Sequence, residues 1–472
     1  MRDWRRHRVV VIGAARQGLA LARYLLSQGA QVIINDQRPL EALEAARQSL
    51  QLEPAWQGAV SWICGGHPLS LLEQATLVCP SGGVPLTLPL IEEAVLRGIS
   101  LSNDSQIFLE TAPCKVIGIT GSAGKTTTTT LVGRMAMSAV SHPEWEVPYR
   151  KVWIGGNIGS PLIAEIDHMQ PEDLVIMELS SFQLEIMTRS PHIAVILNLT
   201  PNHLDRHATM LAYKAAKARI LNFQSPQDAA VLGRDDPGAW ELASQARGRM
   251  LSFGISPIPP ESQGLTLKGD MVYLKNIPGL SSEIPVIDQQ EISLRGEHNL
   301  LNVMAACAIS AAAGLPVEAM RAGVRGFKGV SHRLEFVCSW GGAAWYNDSI
   351  ATAPERSIAA IRSFQEPLVL LAGGRDKNLP WDEFARLVQQ RVDHLIVFGE
   401  AADIILRAFD TVDRDTLTIT RCKGLHEAVQ SAAELVEPGD VVLLSPGGTS
   451  FDEFKDFEER GECFARWVKE LP

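Results

Sequence analysis

The sequence GITGSAGKTTTTT at positions 118–130 constrains the fold of this 472-residue chain more than any other segment. The apolar residues 115–119 before it predict a buried strand, and residues 126–136 within and after it predict a helix. Glycines between a strand and a helix allow backbone N–H groups and the positive helix end to face one anion. Lys125 then reaches the β- and γ-phosphates of a nucleotide, and Thr126 binds Mg²⁺. The spacing GxxGxxGKT therefore predicts a phosphate-binding loop.

The length of the chain indicates about three domains of about 100–200 residues each. We place boundaries near 111–113 and 326–331, which gives domains over 1–112, 113–329 and 330–472. The first domain opens with a strand, a glycine turn, a helix and a strand ending at Asp36, and the third also alternates strands and helices. A hairpin turn at 268–270, within a segment rich in proline and glycine, predicts a small antiparallel sheet beside the main central one. The predicted fold class is α/β, with a Rossmann-like N-terminal domain, a central P-loop ATPase-type domain and a C-terminal Rossmann-like domain.

The composition argues against several classes of partner. The net charge of −11 disfavours binding to nucleic acid or to an anionic membrane surface. The seven cysteines form no CxxC pair, as expected for buried thiols in a reducing compartment. The N-terminus superficially resembles a signal peptide, but its apolar run is interrupted at 13, 16 and 17, and no run reaches the about 18 residues of a membrane span. We expect a cytoplasmic protein with no nucleic-acid partner and no membrane insertion.

Potential metal ligands follow two apolar strands of the central domain. Glu178 directly follows residues 174–177, and His203 and Asp205 come shortly after residues 194–198. Because the carboxyl ends of parallel strands meet at one edge of a sheet, we expect these side chains to converge. A helix cap is the alternative for Glu178 alone. Lys217 lies among apolar neighbours on a predicted helix, and its local sequence favours an ordinary surface lysine.

Other polar residues lie at strand and helix ends. The pattern GAARQG at 13–18 lacks the middle glycine of a dinucleotide-binding turn, so it fits a plain α/β turn equally well. Asn299 and Asn302 lie one turn apart at the start of an alanine-rich helix, where amides can bind an adenine edge, although Asn299 can also cap the helix. In the third domain, polar loops that we expect to face a ligand lie at 331–335, 346–349, 373–377 and 445–452.

These motifs, in this order, resemble those of the Mur ligase family of peptidoglycan synthesis over nearly the whole chain. The segments SSFQLE (180–185), LSPGGTSFDEFKDFEERG (444–461) and GAARQG with Asp36 are most similar to the family branch that joins glutamate to UDP-N-acetylmuramoyl-L-alanine. The resemblance implies an ATP-dependent ligase in which the L-alanine carboxylate forms an acyl phosphate and the glutamate amine displaces phosphate. It also implies a part in cell-wall synthesis, and so in cell shape and cell division.

The resemblance assigns roles to residues in every domain. It implies ATP binding by Gly121, Ser122, Ala123, Gly124, Lys125, Thr126, Thr127, Asn302, Arg333 and Asp348. It implies contacts of the UDP-linked substrate with Arg16, Gln17, Asp36, Ser81, Gly82 and Asn157, and of glutamate with Thr352, Lys377, Ser450 and Phe457. The implied ligands of two Mg²⁺ ions are Thr126, Glu178, His203 and Lys217, with Lys217 carbamylated. The implied catalytic residues are Lys125, His203 and Lys217, and we expect the protein to act as a monomer.

The sequence departs from the family pattern at two places. The phosphate loop has Ser122-Ala123 where the family usually has TN, so one side-chain amide near the phosphates is missing. The family's DSKATN is DSIATA at 348–353 here, with Ile350 and Ala353 in place of a lysine and an asparagine near the amino-acid pocket. Enantiomers differ in which pocket groups their carboxylates reach. D-Glutamate is favoured as the added amino acid, and L-glutamate is the alternative.

Three other functions explain less of the sequence. A nicotinamide dehydrogenase accounts for the N-terminal turn but leaves Lys125, Glu178 and Lys217 without a role. A folylpolyglutamate synthetase shares the central domain and its chemistry but lacks an N-terminal nucleotide-binding domain. A ligase-like sensor of a nucleotide sugar would be expected to have lost the catalytic residues, which this chain retains.

Overall fold

The computed structural model describes residues 3–51, 56, 58–200, 207, 209–279, 281–294, 296–377, 379–409 and 417–472. The chain forms two compact units, Met1–Phe327 and Lys328–Pro472. The described strands form two sheets in the first unit and one in the second. Among the described helices, none combines the length and apolar character that crossing a membrane requires.

The first sheet of unit 1 is parallel, with its described strands in the order β3-β2-β1-β4-β5. These strands are β1 (Arg8–Ile12), β2 (Gln31–Asp36), β3 (Val60–Cys64), β4 (Leu77–Pro80) and β5 (Ser100–Leu101). Their helices are α1 (Arg16–Ser27), α2 (Glu44–Gln51), α3 (Pro89–Leu96) and α4 (Asp104–Thr111). The continuous apolar run of β1 fits a strand covered on both faces. A Cβ at Gly18 would lie 1.9 Å from the carbonyl oxygen of Gly13, so glycine there allows α1 to pack closely against the turn.

The central sheet of unit 1 has its described strands in the order β14-β13-β12-β11-β10-β9-β6-β8-β7. They are β6 (Lys115–Thr120), β7 (Val152–Gly156), β8 (Leu174–Glu178), β9 (Ile193–Ile196), β10 (Ala229–Gly233), β11 (Arg249–Phe253), β12 (Gln263–Lys268), β13 (Met271–Lys275) and β14 (Glu283–Asp288). The helices are α5 (Lys125–Ser141), α6 (Ser181–Leu184), α7 (Met210–Asn222), α8 (Pro237–Trp240), α9 (Glu297–Ala313) and α10 (Val317–Val324). The strand and helix predicted around the phosphate loop are confirmed as β6 and α5.

The predicted antiparallel strands are present, and they extend the central sheet. β12 pairs parallel to β11, and β13 and β14 then continue antiparallel at the edge. The predicted hairpin turn joins β12 to β13 and places Gly269 at a φ of +57°, a conformation that favours glycine. The strands therefore belong to one mixed sheet with the parallel strands that carry the phosphate loop.

Buried polar side chains join the two sheets of unit 1. The amide of Asn103, before α4, donates to the carbonyl oxygen of Gln183 at 2.8 Å, and Nε2 of Gln183 donates to Oγ of Ser105 at 2.8 Å. Gln183 is 1% exposed, so these hydrogen bonds satisfy groups that water cannot reach. Gln183 belongs to the segment 180–185, which follows β8, and it therefore links the first sheet to the edge of the central sheet that carries Glu178.

Unit 2 contains a sheet whose described strands have the order β15-β16-β20-β17-β18-β19, with only the β15–β16 pair antiparallel. The strands are β15 (Glu335–Trp340), β16 (Ala343–Asn347), β17 (Leu368–Gly373), β18 (His394–Phe398), β19 (Thr418–Arg421) and β20 (Val441–Gly447). The helices are α11 (Pro354–Ile361), α12 (Asp382–Arg391), α13 (Ala402–Ala408), α14 (Leu425–Leu435) and α15 (Phe457–Lys469). Consecutive residues of β16 pack on opposite faces, Trp345 against Phe464 and Tyr346 against Phe364.

Short 3₁₀ helices complete the described secondary structure. They are Trp4–Arg6, Leu40–Leu43, Leu69–Leu72, Pro143–Trp145, Leu162–His168, Ala243–Gln245 and Gln289–Glu291.

Candidate active site

The phosphate loop lies between β6 and α5 at the carboxyl edge of the central sheet. β6 has β8 on one side and β9 on the other, which is the position where open α/β sheets bind ligands. Gly124 precedes α5 with a φ of +80°, and a Cβ there would lie 2.2 Å from Oδ1 of Asn302. A Cβ at Gly121 would lie 2.9 Å from Cβ of Leu197. The close packing around the loop therefore requires both glycines.

Lys125 and Thr126 open α5 and turn toward the loop and β8. Nζ of Lys125 donates to the carbonyl oxygens of Gly121 at 2.9 Å and Ser122 at 3.4 Å. Oγ1 of Thr126 donates to Oε2 of Glu178 at 2.9 Å, and Glu178 is 2% exposed. The structure therefore brings together the predicted phosphate-binding lysine and two of the predicted metal ligands.

Glu178 ends β8, and a second side chain holds its carboxylate. Nδ2 of Asn157 donates to Oε1 of Glu178 at 3.0 Å. The helix-cap alternative for Glu178 is wrong, because Ser180 caps α6 through a capping box with Gln183. A carboxylate beside a hydroxyl offers the oxygen ligands that Mg²⁺ prefers, with phosphate oxygens and water completing its shell. Within the described ranges, no group of three His, Cys, Asp or Glu side chains forms an all-protein metal site.

Lys217 is buried beneath the phosphate loop, so its prediction as a surface lysine from local sequence is wrong. It is 1% exposed, and its Nζ donates to Oγ1 of Thr120 and to the carbonyl oxygen of Gly121, both at 3.0 Å. Nζ of Lys125 donates to the same Gly121 oxygen. Burial lowers the pKa of Lys217 well below its ordinary value, the charge of Lys125 lowers it further, and Glu178 opposes both effects. A neutral amine at position 217 therefore avoids both the cost of burying a charge and the repulsion from Lys125.

His203 and Asp205, the other predicted metal-site residues, lie outside the described residues, so their convergence with Glu178 stays a prediction. The described part of this segment includes His207, which is buried. Nε2 of His207 lies 2.9 Å from Oγ of Ser181, and its ring stacks on Phe182 at 5.4 Å between centroids.

Asn302 contacts the loop from α9. Its Oδ1 lies 3.5 Å from Oγ1 of Thr128, and its Nδ2 donates to Oδ1 of Asn299 at 3.2 Å. The two asparagines therefore share one helix face, as their spacing predicts. Since Gly124 approaches the same amide, Asn302 faces the start of α5.

Five of the six residues predicted for the UDP-linked substrate lie at the carboxyl ends of β1, β2 and β4, and the sixth, Asn157, directly follows β7. Oγ of Ser81 donates to the carbonyl oxygen of Gly13 at 3.2 Å, and Nε2 of Gln17 donates to that of Gly156 at 3.2 Å. The second contact places α1 beside the residue that precedes Asn157. Arg16 is exposed at the first position of α1, and a Cβ at Gly82 would meet open space.

Asp36 ends β2 and organises this edge, and it holds Arg38, which sequence reasoning missed. The Ala14 N–H donates to Oδ2 of Asp36 at 2.8 Å, and Nε and Nη2 of Arg38 each donate to the carboxylate at 2.9 Å. The hydrogen bonds from Arg38 hold the pKa of Asp36 well below its ordinary value. The short spacing between a strand-end aspartate and an arginine is a signal that could have suggested this pair.

Asp36→Asn is expected to lower the free energy of unfolding near pH 7 by about 1–2 kcal/mol, because a buried charge-assisted pair is lost while half-exposed Arg38 limits its strength. Because the native pKa of Asp36 is depressed, its ionised carboxylate contributes its full stability at pH values above the ordinary pKa of 3.8. That contribution is lost as the pH falls from 3.8 toward the native pKa. Urea unfolding at about pH 7 and about pH 3 should therefore show a difference that shrinks in acid. Asp3→Asn, which removes an exposed Asp3–Arg5 pair, is the control; an equal effect of both variants at neutral pH would contradict the prediction.

Unit 2 contains Arg333 and Asp348, predicted to bind the nucleoside. Oδ1 of Asp348 accepts from the Leu334 N–H at 3.2 Å and Oδ2 accepts from Oγ of Ser445 at 2.9 Å. Burial raises the pKa of Asp348 to about 7, while these hydrogen bonds and the charge of Arg333 oppose the rise. His332 and Leu334 adopt φ values of +63° and +42°, so the segment before β15 is held in a conformation that such side chains rarely adopt.

The residues predicted to bind glutamate lie on loops of unit 2. Nζ of Lys377 donates to Oγ1 of Thr352 at 3.3 Å. The loops after β17 and β20 are paired, since Arg375 and Thr449 exchange two backbone hydrogen bonds of 2.8 Å, and Ser450 follows directly. The carbonyl oxygen of Phe457 accepts from Oγ of Ser349 at 2.8 Å. The structure thus brings Thr352 and Lys377 into contact.

Arg460, on α15, contacts these loops, and sequence reasoning missed it. Its side chain is fully buried, and Nε donates to Oγ of Ser349 at 3.0 Å. Nη2 donates to the carbonyl oxygens of Ser349 at 2.9 Å and Gly448 at 3.1 Å. Burial lowers the pKa of Arg460 to about 10. Its contacts with Ser349 are 111 positions away in sequence, and no local pattern could have indicated them.

A glycine loop at the switch point of a parallel sheet, with a lysine over it and a threonine–carboxylate pair beside it, defines an α/β enzyme of the nucleotide-phosphate-binding class. Three family models match the chain: "Mur ligase MurD-like, N-terminal domain" at residues 7–103, "Mur ligase middle domain" at 119–310 and "Mur ligase, glutamate ligase domain" at 332–448. The chain belongs to the Mur ligase family. It is therefore an ATP-dependent ligase that forms a peptide bond, and the predicted three-domain α/β fold is confirmed.

Relatives and solved structures agree with this family. The chain is 39% identical to the UDP-N-acetylmuramoylalanine–D-glutamate ligase of Pelotomaculum thermopropionicum, over 100% of this chain and 99% of that protein. It is 41% identical to the ligase of the same name from Symbiobacterium thermophilum, over 98% of both. The fold is similar to that of MurF ligase from Thermotoga maritima in complex with ADP, with a TM-score of 0.54 at 17% identity over 100% of both chains. It is also similar to UDP-N-acetylmuramate-alanine ligase MurC from Thermotoga maritima, with a TM-score of 0.53 at 17% identity over 98% of this chain and 99% of that one.

Proposed function

We propose that this protein adds D-glutamate to UDP-N-acetylmuramoyl-L-alanine, using ATP, in peptidoglycan precursor synthesis. The observation that carries the proposal is the 39–41% identity, over nearly the full length, to ligases named for that reaction. Lys125, Thr126 and Glu178 supply the phosphate and cation ligands that ATP chemistry needs. Addition of L-glutamate is the alternative, because Ile350 and Ala353 depart from the family pattern.

The first chemical step activates the L-alanine carboxylate. A carboxylate oxygen attacks the γ-phosphorus of ATP and forms a new O–P bond, while the bond to the bridging oxygen breaks and leaves its electron pair on ADP. Negative charge accumulates on the transferring oxygens, and a fixed ammonium next to them lowers its energy. The position of Lys125 supports this role, because its Nζ donates to the Gly121 carbonyl oxygen of the phosphate loop.

The second step forms the peptide-like bond. The amine nitrogen of glutamate attacks the carbonyl carbon of the acyl phosphate, the amine loses a proton, and the C–O bond breaks to release phosphate. Without activation the carboxylate would have to expel an oxide, which is a far poorer leaving group than phosphate. The two steps together convert ATP into ADP and phosphate, and this conversion drives a condensation that is unfavourable in water.

Two Mg²⁺ ions are part of the proposal. Thr126 and Glu178 would hold one ion, and His203 with a modified Lys217 would hold the second. Bound Mg²⁺ neutralises charge on the phosphate oxygens. Asn157 fixes the Glu178 carboxylate for this task through its 3.0 Å hydrogen bond.

We also propose that Lys217 is carbamylated. A neutral amine adds to the carbon of CO₂, forms an N–C bond and releases a proton, which turns a buried base into an anionic oxygen ligand. The depressed pKa of Lys217 favours the neutral, reactive amine, and its burial beside Lys125 and Glu178 places the product among charged partners.

The substrates are divided among three domains in this proposal. Residues 1–112 bind the uridine diphosphate moiety through Arg16, Gln17, Asp36, Ser81 and Gly82. Residues 113–329 bind ATP and carry Asn157. Residues 330–472 bind glutamate through Thr352, Lys377, Ser450 and Phe457. Arg333 and Asp348 of the same domain bind the nucleoside part of ATP. We infer that the protein acts as a monomer in the cytoplasm, where ATP is available and its cysteines stay free.

The test supplies UDP-N-acetylmuramoyl-L-alanine, ATP and Mg²⁺ with either D- or L-glutamate, and measures phosphate release together with the mass of the product. Turnover with D-glutamate is expected, with a product heavier by one glutamyl residue. UDP-N-acetylmuramate without L-alanine is the control and should give no product. Turnover with L-glutamate alone would select the alternative, and no turnover with either amino acid would overturn the assignment.

A further inference from the structure

Asn198 holds the backbone of the phosphate loop from outside it. The Ala123 N–H donates to Oδ1 of Asn198 at 2.8 Å, and Nδ2 of Asn198 donates to the carbonyl oxygen of Ala123 at 3.1 Å. The Ser122 N–H donates to the backbone oxygen of Asn198 at 3.0 Å. Asn198, which follows β9, therefore binds three backbone groups of the loop.

Neighbours of Asn198 extend this contact. Oγ of Ser122 donates to the carbonyl oxygen of Thr200 at 2.9 Å and accepts from the Thr200 N–H at 3.0 Å. The Leu197 N–H donates to the carbonyl oxygen of Thr120 at 2.9 Å. Residues 197–200, which we name the loop strap, therefore run along residues 120–123 and are hydrogen-bonded to them at several points.

The loop needs such a restraint because glycines flank its central residues. Gly121 and Gly124 have more backbone freedom than other residues, so the Ser122–Ala123 and Ala123–Gly124 peptides could rotate unless they are held. Ala123 has no polar side chain with which to fix its own peptide. A loop ordered before the nucleotide arrives loses less conformational entropy on binding, and binds more tightly.

We propose that Asn198 is a positioning residue that fixes the Ala123 peptide, so that the other N–H groups of the loop face the nucleotide. Because the loop strap leads directly into residues 201–206, the same residue ties the loop to the segment that contains His203. The inference rests on the proposed function in that the ligand of the loop is ATP. It assigns to Asn198 a role in nucleotide affinity through Ala123, without contact with the reacting atoms.

Two variants separate the parts of this contact. Asn198→Leu removes both side-chain hydrogen bonds, and the affinity for Mg²⁺ with a non-hydrolysable ATP analogue is expected to fall about 10- to 30-fold, the equivalent of two ordinary hydrogen bonds. Asn198→Asp has the same shape and keeps the acceptor for the Ala123 N–H, but it cannot donate to the Ala123 oxygen. The affinity of this variant is expected to fall about tenfold, because one hydrogen bond is lost and a negative charge is added beside the loop. Calorimetry on the full chain measures both values.

Amide hydrogen exchange in the nucleotide-free protein provides a readout independent of turnover. Exchange of the peptide that spans the loop should accelerate in Asn198→Leu and stay close to wild type in Asn198→Asp, which keeps the Ala123 N–H bonded. In turnover assays the KM for ATP should rise while the KM values for the other two substrates stay within about twofold, because only the loop is changed. Asn222→Leu, at the far end of α7 and at the opposite edge of the sheet, is the control and should change neither quantity.

Equal affinity and equal loop exchange in wild type and Asn198→Leu would overturn the inference. A parallel rise of all three KM values in both variants would also overturn it, because that pattern indicates general structural damage. Failure of the wild-type chain to bind the ATP analogue would instead overturn the proposed function, so the two failures are distinguishable.

Discussion

Lys125→Met is expected to lower kcat/KM by at least about 1,000-fold, because it removes the positive charge that we propose stabilises the transferring phosphoryl group while keeping most of the apolar side chain. In the structure, Nζ of Lys125 lies 2.9 Å from the Gly121 carbonyl oxygen, over the loop. Initial rates of phosphate release over a range of ATP concentrations, with the other substrates saturating, measure the loss. Lys115→Met, at the amino end of β6, the strand that leads into the phosphate loop, is the matched control and should keep near-normal turnover.

The Lys125 variant has a second expected effect, on its neighbour. Lys125 lowers the pKa of Lys217, so its removal should raise that pKa and move the pH dependence of Lys217 chemistry upward. The rate at which Lys217 reacts with CO₂ or with an amine reagent, followed by mass spectrometry, should therefore rise at higher pH than in wild type.

A loss of less than about tenfold in the kcat/KM of Lys125→Met would contradict a role for Lys125 in phosphoryl transfer.

Lys217→Met is the second change with a large expected effect, a loss of at least about 1,000-fold in kcat, since it removes the cation ligand that we propose for the second Mg²⁺. Lys217→Met should lower activity without lowering the stability of the fold. A lysine whose native pKa is lowered binds fewer protons when folded than when unfolded, so its contribution to stability rises with pH up to the ordinary value of 10.5. Methionine removes that cost, and the midpoint of thermal unfolding at neutral pH should be at least as high as in wild type.

Lys214→Met is the matched control for this experiment, because Lys214 lies one turn earlier on α7 and pairs with Glu241 at the surface. It should leave both turnover and unfolding nearly unchanged. Wild-type activity should fall in buffer stripped of bicarbonate and return when bicarbonate is added, whereas Lys217→Met should not respond. Near-normal turnover of Lys217→Met, or wild-type activity that is insensitive to bicarbonate depletion, would remove the carbamate from the mechanism.

The local part of the site could be predicted from sequence. The phosphate loop depends on residues within a few positions of one another, and the predicted strand 115–119 and helix 126–136 correspond to Lys115–Thr120 and Lys125–Ser141. The hairpin at 268–270 was likewise predictable from its turn residues. In both cases glycine at a restricted backbone conformation is the signal, and that requirement is visible in the sequence.

The remainder depends on contacts between distant parts of the chain. Lys217 has mostly apolar neighbours on its helix, and its burial depends on the packing of α7 against Thr120 and Gly121, 97 and 96 positions earlier. Arg460 depends in the same way on Ser349. That β12 would join the central sheet could not be predicted either, because its parallel pairing with β11 is set by the packing of the whole unit. Family resemblance could assign Lys217 a role, but only the fold gives the physical reason for it.

The single carbonyl oxygen of Gly121 accepts from the amines of both Lys125 and Lys217. A polyanion entering the loop draws Lys125 toward itself and offsets its charge, so Lys217 meets a different electric field in the filled and empty protein. Protonation of that buried amine and occupancy of the loop are consequently linked equilibria, and each must shift the other by the same factor. Acidity of the medium should for this reason alter how tightly the triphosphate is held, even before any bond is made.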